Sequence, residues 1–330
     1  MIETRVSSPS TSLPFQVSAV NDQQSVEERM KYAPPAVEQL NDWCASNREL
    51  VEERLLQHGA ILFRGFSVRT EDQLARFAAA QAPAGLLSYT DGTSPRTKLS
   101  AGVYTSTEYP ADQFISLHNE LSYSHRWPSR LFFACHTPAR QGGETPIADS
   151  RRILQGLRPE TRGQFISKNV KYIRYLHGGD GLGLSWQQTF ETADRAAVRR
   201  FCEQGGVEYE WNARGGLRLS HTRPAVTCHP VTGETVWFNQ ADQFHPTEMS
   251  DDTRRLLQGA VEESEWPKNV RFGDDSPIGT DLLDEIRQVT RRETVNFPWR
   301  RGDVLMIDNV LVSHGRNPFV GSRRILVAMA

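Results

Sequence analysis

The spacing of apolar residues along the chain changes character several times. Val37, Leu40, Trp43 and Cys44 fall at helical intervals, and Leu50, Val51 and Leu55 continue the stripe. This predicts one helix over 35–57, stopped by His58 and Gly59. Residues 60–66, opening on the apolar run Ala60 to Phe63, read as a buried strand. An Ala-rich helix with Leu74 and Phe77 on one face is predicted over 71–81. From 89 to 110 no period is visible, and Asp91-Gly92 and Ser94-Pro95 mark a loop. A strand follows at 131–135, then helices at 150–156 and 159–167. Short strands recur at 217–219, 225–229 and 235–240, with Thr232-Gly233 as the hairpin turn between the last two. Helices at 251–262 and 279–290 precede two closing strands. Residues 1–30 lack apolar periodicity and are rich in Ser, Thr, Pro, Gln and Glu. They read as a partly ordered N-terminal arm ahead of one domain spanning 31–330. Many short strands split by helical insertions predict a mainly β fold (α+β by content) of the double-stranded β-helix, or jelly-roll, class.

Composition narrows the function classes. The 330 residues carry 38 Lys and Arg against 40 Asp and Glu, with 38% hydrophobic and 24% charged residues. No basic tail or stripe favours nucleic acid. No apolar run reaches the length of a membrane span. Met1 to Arg5 offers no apolar signal core, so a cytoplasmic protein is expected. Cys44, Cys135, Cys202 and Cys228 are scattered with no Cys-x-x-Cys pair, which predicts free thiols. A homo-oligomer is compatible with this composition.

The candidate chemistry lies in two distant stretches. In Ser116-Leu117-His118-Asn119-Glu120 an imidazole and a carboxylate stand two residues apart. At a strand or strand end both would face one point. Alone the pair is a weak signal, met more often in surface hydrogen bonding. Near the C-terminus, an apolar strand run over 304–307 leads through a turn to His314, and Arg324 follows ten residues later. A second imidazole would complete a two-His-one-carboxylate set for a divalent metal. Arg324 could hold a carboxylate in a two-pronged grip. In between, Gly142-Gly143-Glu144-Thr145 allows close backbone approach and offers a hydroxyl, although on the residues alone a turn-capping threonine is the better reading.

From about residue 60 onward this text resembles the iron(II)/2-oxoglutarate dioxygenases of the TauD/TfdA (taurine dioxygenase) family. The branch it looks most like hydroxylates amino acids or carrier-tethered aminoacyl groups in natural-product pathways, the SyrP-like branch. The resemblance implies iron held by His118, Glu120 and His314, and 2-oxoglutarate held by Arg324 with help from Thr145. Oxygen would be the co-reactant, and succinate and carbon dioxide the by-products. Glu120 fills the position that related halogenases leave to a small residue, so oxygenation is implied over halogenation. Taurine enzymes carry a sulfonate-binding arginine four residues beyond the 2-oxoglutarate arginine; here that position is Ala328, which argues against sulfonates. Arg323 is expected on the opposite face from Arg324 with no catalytic role. Substrate candidates are Arg96 and Tyr104 from the loop, Asn119 and Tyr123 beside the metal pair, and Asn239 at a strand end. The stretch 172–215 is expected to be a lid or insertion over the barrel mouth. Epoxidation or desaturation by the same chemistry, a zinc hydrolase, and a non-catalytic jelly-roll binding protein are the competing readings.

Overall fold

The structure, a computed structural model, describes residues 2–5, 15–19, 36–82, 84–100 and 102–330. Its frame is an eight-stranded sheet. In spatial order the strands are Ile2–Arg5, Phe15–Ala19, Ala60–Arg64, Val304–Asp308, Arg130–Thr137, Arg324–Met329, Val103–Thr105 and Lys98–Ser100. A three-stranded sheet of Ile115–His118, Val312–Arg316 and Ile147–Asp149 faces it. The two form the jelly roll.

The long strands are buried on both faces, and alternation assigns each face a partner. Leu131, Phe133 and Cys135 join Ile325, Val327 and Met329 in the core between the sheets. The intervening Phe132, Ala134, Leu326 and Ala328 turn outward under the helices Val37–Ser46 and Glu71–Gln81. That two-residue period decides where the closing arginines point.

Several expectations need redrawing. The helix predicted over 35–57 is two, Val37–Ser46 and Arg48–His58, broken at Asn47, whose side chain and backbone N–H both donate to the Trp43 carbonyl. This local alternative bond competes with helix continuation. Gly59 ends the second helix at φ +69, as the sequence signal requires. The stretch 89–110 is not all loop, since Lys98–Ser100 and Val103–Thr105 extend the main sheet. Of the N-terminal arm, two strands pair with each other and the second runs parallel to Ala60–Arg64. The rest of 1–30 lies outside the described residues.

The stretch 172–215 belongs to a second packed layer. Val170–Leu176, Glu208–Trp211, Leu217–Arg223 and Asn269–Phe272 form a four-stranded sheet, and the helices Trp186–Phe190 and Arg195–Gly205 close a small core on it. All four cysteines are free, and Cys44, Cys135 and Cys202 are buried. No helix among the described residues is long and apolar enough to cross a membrane.

Candidate active site

His118 is the last residue of its strand, and His314 sits directly opposite in the antiparallel partner. Their rings lie 4.5 Å apart between centroids. Glu120 is not on the strand but at the start of the turn that follows, where Leu121 takes φ +56. Asn309 fixes that turn: its Oδ1 accepts from the Glu120 N–H at 2.7 Å, and its Nδ2 donates to the Glu120 carbonyl at 3.0 Å. Asn119 returns the clasp, donating to the Asn309 carbonyl at 2.6 Å. Two asparagines thus tie one ligand-bearing segment to the approach of the other.

The ligand atoms of His118, Glu120 and His314 lie within 4.8 Å of one another. The Glu120 and His314 side chains are buried, with 3.8 Å between Oε2 and Nε2. Burial pushes both imidazoles below their ordinary pKa, His314 far below, where His118 and Arg96 add to the effect. Metal binding needs neutral imidazole, and the site supplies it. The Nδ1 of His118 lies 2.9 Å from the Ser116 carbonyl, which calls for a proton on Nδ1 and leaves the Nε2 lone pair free. Gln243, 3.0 Å from the same nitrogen, donates to the Ser116 carbonyl at 2.6 Å. Phe133 packs on the His314 ring at 5.1 Å. Two neutral nitrogens and one carboxylate oxygen, held on backbone anchors, fit a divalent first-row metal.

Beside this cluster is a pocket lined by Arg96, Ser106, Thr107, Thr145, Arg316 and Arg323, among others. Thr145 is buried there and accepts from the Trp299 indole at 3.1 Å. The pocket arginine of the closing strands is Arg323, not Arg324. Arg324 shares the outward face of Leu326 and Ala328; its side chain is 44% exposed and pairs with Glu71 at 2.6 Å. Arg323 turns inward, donating to the Gly143 carbonyl at 2.8 Å and the Ser106 hydroxyl at 3.2 Å. Burial pulls it down to about 10, assisted by Arg316. Counting four residues from Arg323 reaches Val327, not Ala328, and it too is apolar and fully buried.

Of the substrate candidates, only Arg96 lines the pocket. The Tyr104 hydroxyl accepts from the Tyr89 N–H, and the Tyr123 hydroxyl donates to the Asp91 carbonyl. Asn239 donates to the Ala225 carbonyl and accepts from the Ala241 N–H. Asn119 is committed to the clasp. The polar groups of these four are engaged in hydrogen bonds within the fold. Asn309, Gln243 and Phe133 carried no signal in the sequence; Arg323 was expected opposite Arg324, as it is, but with no role at the pocket.

The family model "Taurine catabolism dioxygenase TauD, TfdA family" matches residues 31–329. The dapdiamide synthesis protein DdaC of Enterobacter agglomerans is 37% identical over 279 residues, covering 84% of each chain. A clavaminate synthase-like protein of Arabidopsis thaliana is 31% identical over 294 residues, covering 86% of this chain and 85% of its own. Among solved structures, PvcB of Pseudomonas aeruginosa superposes with a TM-score of 0.51 at 13% identity, over 95% of this chain and 84% of its own. That likeness supports the jelly-roll fold.

Proposed function

This chain belongs to the TauD/TfdA family of dioxygenases, and on that premise we propose that it hydroxylates an amino acid or aminoacyl group in a natural-product pathway. Iron(II) is its metal and 2-oxoglutarate its cosubstrate; with oxygen they supply the oxidising power, leaving succinate and carbon dioxide. The observation that carries the reading is the His118–Glu120–His314 cluster, built on two facing segments and kept in the protonation state a metal requires. The substrate reading draws on the relation to DdaC, whose name ties that protein to dapdiamide synthesis.

In this reading His118, Glu120 and His314 hold the iron. Arg323 takes the far carboxylate of 2-oxoglutarate, with the Thr145 and Ser106 hydroxyls beside it. A buried guanidinium on a carboxylate is a strong, oriented contact. Arg316 positions the pocket wall: its two terminal nitrogens donate to the carbonyls of Thr107, Tyr109, Pro110 and Gln113. Phe133 and the buried core behind it exclude water from one side of His314. A cytoplasmic setting, where a ferrous site stays reduced, is part of this reading.

The test is an anaerobic titration of metal-free protein with iron(II) and 2-oxoglutarate, followed by visible absorption. A weak charge-transfer band that needs both components is expected, followed by substrate-coupled succinate formation in air. Folded protein that gives no band would overturn the reading and favour a non-catalytic binding protein.

A further inference from the structure

The buried arginines around the site are nearly all spent. Arg316 and Arg323 hold backbone carbonyls, and Arg174 holds the Asp91 carboxylate at 2.6 Å and the Gly92 carbonyl at 2.9 Å. Arg316 leaves only its Nε without a partner among the described residues, and Arg323 is the arginine assigned above to 2-oxoglutarate; Arg96 is the least spent of the four. Its side chain is 3% exposed and lines the pocket, and a single N–H, on Nη2, meets Glu120 at 2.6 Å. Its Nε and Nη1 are buried with no partner among the described residues. Unspent charged donors out of water are costly, and such groups are matched by ordered water or by a ligand.

We propose that Arg96 is the specificity-determining cation of this enzyme, and that it recognises a carboxylate on the substrate. The proposal rests on the metal-dependent reading above and narrows its substrate to acids. Three features argue for it together. The first is rigidity. Asp91, at φ +70, is gripped by Arg174 and by the Tyr123 hydroxyl, and the guanidinium of Arg96 lies 4.3 Å over the Tyr89 ring. The donors are therefore placed before any ligand arrives. The second is charge. The pocket lining carries the guanidinium groups of Arg96, Arg316 and Arg323; Glu120 pairs with Arg96, while Asp112 and Glu144 act on Arg316 and Arg323 from behind the lining. A divalent metal and doubly charged 2-oxoglutarate cancel each other, so what a substrate meets at the pocket surface is the guanidinium lining, which favours an anionic group. The third is position. Arg96 touches a candidate metal ligand, so a group held on its free donors lies beside the reacting centre. The closing strand offers no substrate cation of its own, because Val327 is apolar.

An ammonium group would be repelled there, so the substrate enters with its carboxylate toward Arg96 and its amine away. A carrier thioester of a neutral amino acid has no such carboxylate and would be a poor fit.

The experiment uses the full chain loaded anaerobically with iron(II) and 2-oxoglutarate. The twenty proteinogenic L-amino acids and their N-acetyl derivatives are titrated, each as free acid and as primary amide. The readout is the shift of the charge-transfer band on binding, independent of turnover. At least one acid should bind ten-fold or more tightly than its amide. Arg96→Gln should abolish that preference, and Arg96→Lys, which keeps the charge, should restore part of it. Amides that bind as well as acids would overturn the proposal, as would an Arg96→Gln protein that still prefers the acid, or an intact band that no acid perturbs. Absence of the band itself would instead defeat the metal-dependent reading.

Discussion

Arg323 and Arg324 are chemically identical neighbours with opposite fates. Arg324 makes a half-exposed ion pair with Glu71, the kind worth at most about 1 kcal/mol. Arg323 is buried at the pocket. Arg323→Ala should therefore raise the 2-oxoglutarate concentration needed for half-maximal rate by roughly 30- to 150-fold, since a charge-assisted contact of about 2–3 kcal/mol is lost. Arg324→Ala should change it less than about three-fold. Steady-state titration of the two variants decides which arginine serves the cosubstrate. At this scale the sequence was legible where chemistry is rare and ambiguous where it is repeated. His118, Glu120 and His314 could be picked out because few residue types bind a metal. Between adjacent arginines only the direction of the strand discriminates. Spacing from His314 favoured one, while the alternation of Ile325 and Val327 inward against Leu326 and Ala328 outward selects the other.

Among the elements, the segment from Tyr89 to Arg96 depends on a buried charge pair that no local pattern reveals. Arg174 stands on a strand 83 residues away from Asp91 in sequence. Arg174→Ala would strand the Asp91 carboxylate out of water, at a cost of about 3–5 kcal/mol. Equilibrium urea unfolding should show the lower midpoint with little change in slope. The same layer holds His221, which donates its Nε2–H to the Tyr123 carbonyl at 2.7 Å. Burial lowers its pKa to about 4 from an ordinary 6.5. The folded protein keeps the ring neutral, whereas the unfolded chain binds a proton below about 6.5. The stability this contributes is complete above pH 6.5 and is lost as pH falls toward 4, up to about 3 kcal/mol. His221→Gln can keep the bond without the titration. Its unfolding free energy should fall less steeply than that of the parent between pH 6.5 and 4; parallel curves would refute the assignment. Element boundaries were readable where a cap marks them, as at Gly59. They were misjudged where one asparagine broke a continuous apolar stripe, and where tertiary pairing drew strands from a stretch rich in turn residues.

Across the whole molecule, the site is assembled from parts that only folding brings together: Glu120 and Asn309 lie 189 residues apart in sequence. Metal binding should therefore report on the entire jelly roll. In the metal-free protein the cluster is a local liability. A carboxylate and two neutral imidazoles are withdrawn from water at close quarters, and the His314 Nδ1 lacks a partner among the described residues. Such sites sacrifice stability for function. Ligand that binds only the folded state repays this by mass action, about 2.7 kcal/mol at a concentration one hundred times the dissociation constant. Manganese(II), which supports no turnover, together with 2-oxoglutarate should raise the Tm of the parent protein. His314→Ala should lose that increment entirely. Because it removes a buried polar ring with an unmet nitrogen, its metal-free Tm should stay within a few degrees of the parent, well short of the collapse expected for a core truncation such as Phe132→Ala. Differential scanning calorimetry of the three proteins, with and without metal and cosubstrate, separates a ring kept for its ligand from one kept for its packing. A large metal-free loss in His314→Ala with the increment intact would assign the ring to the fold and remove it from the metal site.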